Sequence, residues 1–382
     1  MKKPKLIRIT TVPISLNKLL EGQLHYMSDY FEVIGVSSPG DLLQEVGERE
    51  GIRVEAIEMT REITPVKDFQ GLRKMIKFLK EEKPDIVHTH TPKAGIVGML
   101  AAKIAKVPHR LHTVAGMPLM ESTGAKRNIL QKVEALTYRC ATRVLPNSKG
   151  LYEFILNEKL TKPEKLEVIA QGSTNGIDSE HFNPKHFSEI ENTELRESLK
   201  IDPSDFVFIF VGRLVGDKGI NELVAAFEKL NQNKAAVKLL LVGSLESDLD
   251  PLSPETEKII ETNSAIKAVG FQKDVRPYFA ISDVLAFPSY REGFPNVVMQ
   301  AGAMGLPCIV SDINGCNEII ENGKNGLIIP PKNETGLFAA MEKMMEKSDL
   351  ELMQSKARES ITSRFQNQVV WGNLKTVYQS LF

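Results

Sequence analysis

Short β-branched or aromatic runs alternate along the chain with longer segments in which apolar residues recur every three or four positions. In the first half, Leu6–Thr11, Glu32–Val36, Arg53–Ile57, Ile86–Thr89, Arg110–Val114 and Arg143–Leu145 predict strands separated by helices. The pattern pauses over the polar stretch Asn175–Ile201, which contains Pro184, and restarts at Phe206–Val211, an unbroken apolar run ended by Gly212. Lys238–Val242, Ala265–Val269, Val284–Phe287, Cys308–Val310 and Gly326–Ile329 follow as further strands. Strands alternating with helices specify parallel sheets covered on both faces. The expected architecture is α/β: two Rossmann-like, doubly wound domains, residues 1–180 and 181–365, facing each other across a cleft, with a linker near residues 176–203. A closing helical pattern, residues 366–382, is expected to pack back on the first domain.

Composition narrows the function more than the fold. At 382 residues, 42% hydrophobic and 25% charged, the chain is an ordinary globular sequence. Cys140, Cys308 and Cys316 are too scattered for a disulfide framework or a closed zinc site, which points to a reducing cytoplasm. Lys2, Lys3 and Lys5 precede an apolar run, but Arg8 interrupts it, so the segment reads as a first strand rather than a secretion signal. Apolar runs such as Ala94–Ala102 fall well short of the ~20 residues that span a bilayer.

The net charge of -1 hides an asymmetry, +5 over residues 1–180 and -6 over residues 181–382. Residues 86–150 hold ten basic and two acidic side chains, including Lys103, Lys106, Arg110, Lys126, Arg127 and Lys132. A basic half favours an anionic partner. With no recognition helix, zinc finger or stacking aromatics, nucleic acid is not expected, whereas an anionic membrane face or a phosphorylated acceptor is.

In open α/β sheets, ligands lie beyond the carboxyl ends of the strands. Gly212-Arg213-Leu214-Val215-Gly216-Asp217-Lys218-Gly219 follows a buried strand and opens a helix. Two cations, glycines and the free N–H groups of a helix start suit a diphosphate, a solvated strand–helix turn being the plainer alternative. Ser289–Asn296, after Val284–Phe287, adds Glu292, able to accept hydrogen bonds from hydroxyls, and Pro295 in the first turn of the next helix. A carboxylate beside helix amides suits a sugar joined to phosphate. Glu292 and Gln300 would be about 80° out of phase on one helix, so they meet one ligand only if Glu292 lies off it. His88 and His90 at a strand end are expected to be buried and hydrogen-bonded rather than metal ligands. Asp248-Leu249-Asp250 spells an aspartate pair but reads as a solvated loop, and Phe69–Lys83 as a basic surface helix.

Together, Gly212-Arg213 with Lys218-Gly219, Glu292-Gly293-Phe294-Pro295-Asn296, Asp312 to Gly315 with Glu318-Ile319-Ile320, and Asn322-Gly323 with Asn325-Gly326 resemble the donor half of family 4 nucleotide-sugar glycosyltransferases. Asp85-Ile86-Val87-His88-Thr89-His90, His112-Thr113-Val114-Ala115-Gly116, Asn147-Ser148 and Asn175-Gly176-Ile177-Asp178 are similar to the N-terminal half of bacterial members that extend capsule, O-antigen or similar glycans on polyprenyl diphosphate carriers.

The resemblance implies the GT-B fold, retention of anomeric configuration, a UDP-sugar donor bound by the second domain and a polyprenyl-diphosphate-linked saccharide acceptor bound by the first. It implies that Arg213 and Lys218, beside Gly212, clamp the donor diphosphate and that Glu292 binds the transferred sugar, with His112 near the reaction centre. Gly293, Phe294, Pro295, Asn296 and Val297 would bind the donor, with the amides near Phe294–Val297 holding phosphate, Phe271, Gln272 and Lys273 would meet the uracil, and Gly22 would let backbone approach the diphosphate. Gln300 stands where the pattern has a second glutamate on the ribose, so weaker nucleotide binding is expected from a neutral amide.

Lys126, Arg127 and Lys132, in and after the loop following His112, are candidates for the acceptor's diphosphate. No cofactor and no metal is expected beyond the donor itself. The expected location is the cytoplasm, peripherally on the inner face of the plasma membrane. A nucleotide-sugar 2-epimerase or a non-catalytic partner subunit are the alternatives. A dinucleotide oxidoreductase is disfavoured because strand one lacks a G-x-G-x-x-G turn.

Overall fold

The computed structural model describes residues 2–60, 64–120, 122–234, 236–246 and 250–382. The chain forms two compact units, Met1–Gly176 with Asn367–Phe382, and Ile177–Gln366. In the first unit, β1 (Lys5–Ile9), β2 (Glu32–Ser37), β3 (Arg53–Ala56), β4 (Ile86–Thr89), β5 (His109–Val114) and β6 (Arg143–Pro146) form one parallel sheet in the order β3-β2-β1-β4-β5-β6. In the second, β7 (Phe206–Val211), β8 (Val237–Val242), β9 (Ile266–Ala268), β10 (Val284–Phe287), β11 (Cys308–Ser311) and β12 (Gly326–Ile329) repeat the design in the order β12-β11-β10-β7-β8-β9. Every strand expected from the alternation is present.

Parallel strands are joined by crossover helices, which bury both faces and leave long apolar runs. β7, Phe-Val-Phe-Ile-Phe-Val, is such a strand, paired residue for residue from Phe206↔Val237 to Val211↔Val242. In the first unit, Ile7 and Ile9 of β1 join the core on one face, with Val36, Val87 and Met99. Leu6 joins the other face, where Val370, Trp371, Leu374 and Tyr378 of the closing helix Asn367–Gln379 pack with Leu24 and Phe31.

The strand order reverses between β1 and β4 in one sheet and between β7 and β10 in the other. At such a point the crossover helices leave to opposite faces, opening a crevice at the carboxyl ends of the two strands. The loops after β7 and β10 are therefore placed by topology alone to share a ligand.

The stretch Asn175–Ile201 is not a plain linker, because it contains the helix Glu189–Ser198. Ser188 and Glu191 close a reciprocal capping box at its start, and Arg196 anchors it by donating to the Ile281 carbonyl at 2.7 Å. The Ser-x-x-Glu signature was available in the sequence. Its apolar stripe is too sparse to announce a helix by periodicity, since Ile190 is exposed and Leu195 and Leu199 are only partly buried.

Candidate functional site

The loop after β7 turns through a single 3-10 turn, Gly216–Lys218, before the helix Ile220–Asn233 begins. Asp250 supports that turn, its carboxylate accepting from the Asp217 amide at 2.6 Å and its carbonyl from the Gly216 amide at 3.1 Å. It is the described member of the Asp248–Asp250 triplet, whose other two residues lie outside the described residues. Gly219, at φ +71°, ends the turn; a Cβ there would overlap the Pro288 carbonyl oxygen and stand 2.9 Å from the carbonyl carbon. Glycine is what lets the loop after β10 settle on the loop after β7. The Tyr290 amide then donates to the Asp217 carbonyl at 2.9 Å, and Arg291 pairs with the Asp217 carboxylate at 2.6 Å.

This docking brings Lys218 and Glu292 together. The Lys218 ammonium lies 2.5 Å from Glu292 Oε1, both side chains being less than a fifth exposed. Ser289 donates to the same oxygen at 3.1 Å, and the Asn314 amide donates to the carbonyls of Glu292 and Gly293 at 3.1 and 2.6 Å. Arg213 is drawn to Glu246 in the loop after β8, at 3.2 Å on a half-exposed surface. Each cation of the candidate site thus rests on an acid. Glu292 lies in the loop, off the helix Asn296–Ala303 that carries Gln300. Pro295 caps that helix rather than opening its first turn, and the first N–H groups of the helix have no partner within it.

Phe294 is a core residue edge-on to Phe365 at 5.4 Å, so only its backbone is on offer. Phe271, 75% exposed, projects from the loop after β9, where Gln272 donates to the Val269 carbonyl at 2.8 Å and Lys273 is exposed. Sequence reasoning missed Asp217, Ser289 and Asn314, which fasten these loops. Their one signal was position, immediately after a strand or beside a catalytic candidate.

In the first unit, His112 on β5 is 3% exposed, with Nδ1 2.8 Å from Thr89 Oγ1. Burial pushes its pKa down to about 4. His88 spends both ring nitrogens on Tyr378 at 2.5 Å and Thr113 at 2.8 Å, and His90 accepts from the buried Arg8 guanidinium at 3.0 Å. Burial holds both far below the ordinary imidazole range. Gly22, at φ +73°, caps the helix Gln23–Ser28, with its amide on Glu50 at 3.0 Å and Trp371 where a Cβ would be, 2.8 Å away.

Lys126, Arg127 and Lys132 sit on the helix Gly124–Cys140 rather than in a loop. Arg127 is engaged by Glu158 at 2.5 Å and the Leu119 carbonyl at 2.9 Å, while Lys126 and Lys132 are exposed. Other basic residues of the 86–150 region also have internal partners, Lys93 on Asp68 and Arg143 on Glu167, so less of the excess reaches the surface than composition suggests. Among the described residues no helix is long and apolar enough to cross a membrane.

His88, His90 and His112, the three buried histidines among those with lowered pKa values, set a pH dependence. A histidine whose folded pKa lies below its unfolded value is protonated first in the unfolded chain. Stability is therefore full above about pH 6.5 and falls as pH drops toward the folded value, by up to about 1.4 kcal/mol per pH unit for each group. For His112 that window runs down to about 4. Trp371, the single tryptophan, belongs to the first unit and reports on it. Denaturant midpoints read by its fluorescence are expected to fall between pH 7 and pH 5; equal midpoints would mean these imidazoles are not buried as neutral groups.

Residues 30–172 match the glycosyl transferase 4-like domain, and residues 191–361 match glycosyl transferases group 1. The capsular polysaccharide biosynthesis glycosyltransferase CapM of Staphylococcus aureus is 31% identical over 383 residues, covering 100% of this chain and 98% of that protein. The UDP-Gal:alpha-D-GlcNAc-diphosphoundecaprenol alpha-1,3-galactosyltransferase of Escherichia coli is 32% identical over 314 residues, covering 80% of this chain and 78% of that one. Anabaena HepE, solved in complex with UDP and glucose, shares the fold with a TM-score of 0.83 at 21% identity, over 99% of this chain and 100% of HepE.

Proposed function

The chain belongs to the group 1 glycosyl transferases and has the GT-B fold, and from that premise we propose that it works in capsular polysaccharide synthesis, moving a hexose or N-acetylhexosamine from a UDP-sugar to a hydroxyl of a lipid-linked saccharide, with retention. The observation that carries this reading is the Lys218–Glu292 pair, assembled where the strand order reverses between β7 and β10. A donor diphosphate competes with the acids for Lys218 and Arg213 and frees Glu292 to accept hydrogen bonds from the sugar. The relatives support the same classes: one is named for a UDP-sugar and a diphosphoundecaprenol-linked acceptor, and a fold relative was solved with UDP and glucose.

The reaction then needs little from the protein beyond placement and charge. As the bond from the anomeric carbon to the β-phosphate oxygen breaks, negative charge grows on the diphosphate, and Lys218 and Arg213 oppose it. The acceptor hydroxyl adds on the face the diphosphate leaves, and its proton passes to the departing phosphate oxygen, giving UDP and the extended saccharide. Among the described residues, Lys218 and Ser289 meet the Glu292 carboxylate, and neither is the second carboxylate that a covalent glycosyl-enzyme route employs. Main-chain amides near Phe294–Val297 hold phosphate, Phe271–Lys273 meets the base, and His112 meets the transferred sugar. Lys126 and Lys132 are the cations left for an acceptor diphosphate, and exposed basic side chains of this kind fit a protein working on an anionic membrane face.

The test is UDP release from a panel of UDP-sugars with a polyprenyl-diphosphate-linked saccharide, with the new linkage read by NMR. No release from any UDP-sugar, or an inverted product, sinks the reading. Because two side-chain cations carry the charge, saturating EDTA is expected to leave the initial rate unchanged; a rate abolished by EDTA and restored by a divalent cation would contradict this. Gln300→Glu restores a charge-assisted bond to ribose and is expected to tighten UDP binding about fivefold, the equivalent of about 1 kcal/mol. Calorimetric titration with UDP checks it.

A further inference from the structure

Thr89 and His112 are direct partners in the β4–β5 register, so their side chains leave the sheet on one face. The helix Pro92–Ile104 covers that face with two glycines one turn apart. A Cβ on Gly95 would stand 2.6 Å from His112 Cε1 and 3.1 Å from both ring nitrogens, and a Cβ on Gly98 would stand 2.6 Å from the Thr89 methyl group. Alanine is the better helix former by roughly 0.5–1 kcal/mol, yet at either position its methyl would displace the Thr89–His112 pair. The imidazole also lies beside the Tyr138 ring, 6.0 Å between centroids and tilted by 36°. The ring is confined to a slot, with Nδ1 2.8 Å from the Thr89 hydroxyl oxygen.

Resting on the reading that His112 meets the transferred sugar, we infer that Thr89 is a positioning residue: its hydroxyl holds the imidazole of His112 at Nδ1 in a single tautomer and leaves Nε2 for a sugar hydroxyl. A buried imidazole that stays neutral has one N–H and one lone pair, and what Nδ1 faces decides which nitrogen carries which. The Thr89 hydroxyl can donate to Nδ1 or accept from it, and in either role it holds the ring in one tautomer. Gly95 and Gly98 keep the slot narrow enough that the ring cannot turn over and exchange its nitrogens.

The experiment is long-range proton–nitrogen NMR of the full chain labelled at histidine, with His112 assigned by its loss in His112→Asn. One neutral tautomer is expected; a mixture of the two in the wild-type protein overturns the inference. Thr89→Val is expected to lower kcat by about 10–100-fold, the cost typical of removing the group that orients a functional histidine, with KM for the UDP-sugar little changed. It is also expected to give a mixture of tautomers, and Thr89→Ser should restore both readouts. A Thr89→Val protein that keeps its turnover and its single tautomer overturns the assignment. If the valine variant does not fold, the wild-type tautomer and the serine variant still decide. Normal turnover in His112→Ala instead defeats the sugar-contact reading of His112, and the functional half of this inference with it, whatever the tautomer.

Discussion

Lys218→Ala is expected to lower kcat at saturating UDP-sugar by about 10²-fold or more, the scale of losing one preorganised charge partner in the transition state. The ammonium is held on a 3-10 turn fixed by Asp250, between Glu292 at 2.5 Å and the Phe287 ring at 6.0 Å. It needs no search to reach a developing charge. Its loss also leaves the Glu292 carboxylate without its cation, repelling the diphosphate it should help to receive. The effect belongs mainly in kcat, because the charge on the diphosphate is greater in the transition state than in the bound donor. Lys218→Arg keeps the charge but replaces a compact head by a planar fork, so partial recovery is expected. Single-turnover rates with the purified variant settle it: a near-normal rate in a folded Lys218→Ala protein would remove Lys218 from the chemistry.

Gly219→Ala comes next in expected size, and it acts through the backbone. At φ +71° an L-residue costs roughly 1–2 kcal/mol. The added methyl also meets the Pro288 carbonyl, which no side-chain rotation relieves. The loops after β7 and β10 must separate, which strains the Tyr290–Asp217 backbone bond and draws Lys218 from Glu292. We expect a loss of about 2–4 kcal/mol from the second unit. We also expect a fall in kcat/KM of about 10²-fold, since misplacement by about 1 Å carries that cost. Gly372→Ala is the control, a helical glycine with nothing within 4 Å of its Cβ position, expected to be neutral or slightly stabilising. Wild-type melting and turnover in Gly219→Ala would mean that the contact of the two loops does not build the site.

The strands were readable because a parallel strand buried on both faces must be apolar along its length, as Phe206–Val211 is. The helix Glu189–Ser198 was not, because it buries little and carries its start signal in Ser188 and Glu191 instead. The candidate site was readable as a set of residue types: glycines and cations after one strand, and an acid before a helix after another. Which acid meets which cation was not, since Lys218 and Glu292 are 74 positions apart and Arg213 and Glu246 are 33 apart. Arg8 shows the same limit. Its charge read correctly as breaking an apolar run, but not as a fully buried guanidinium held by His90 and Gln23. Lys126, Arg127 and Lys132 looked alike in the sequence, yet Arg127 alone is taken by Glu158.

Periodicity and local residue type therefore determined the two parallel sheets, the carboxyl-end loops and the residue types those loops carry, because each depends on neighbours a few positions away. The tertiary structure alone decided that Lys218 rests on Glu292, that Arg213 turns to Glu246, and that His112 is held by Thr89 in a slot floored by Gly95 and Gly98. Those pairings follow from strand order and from where crossover helices land, and neither is recorded in any short window of the chain.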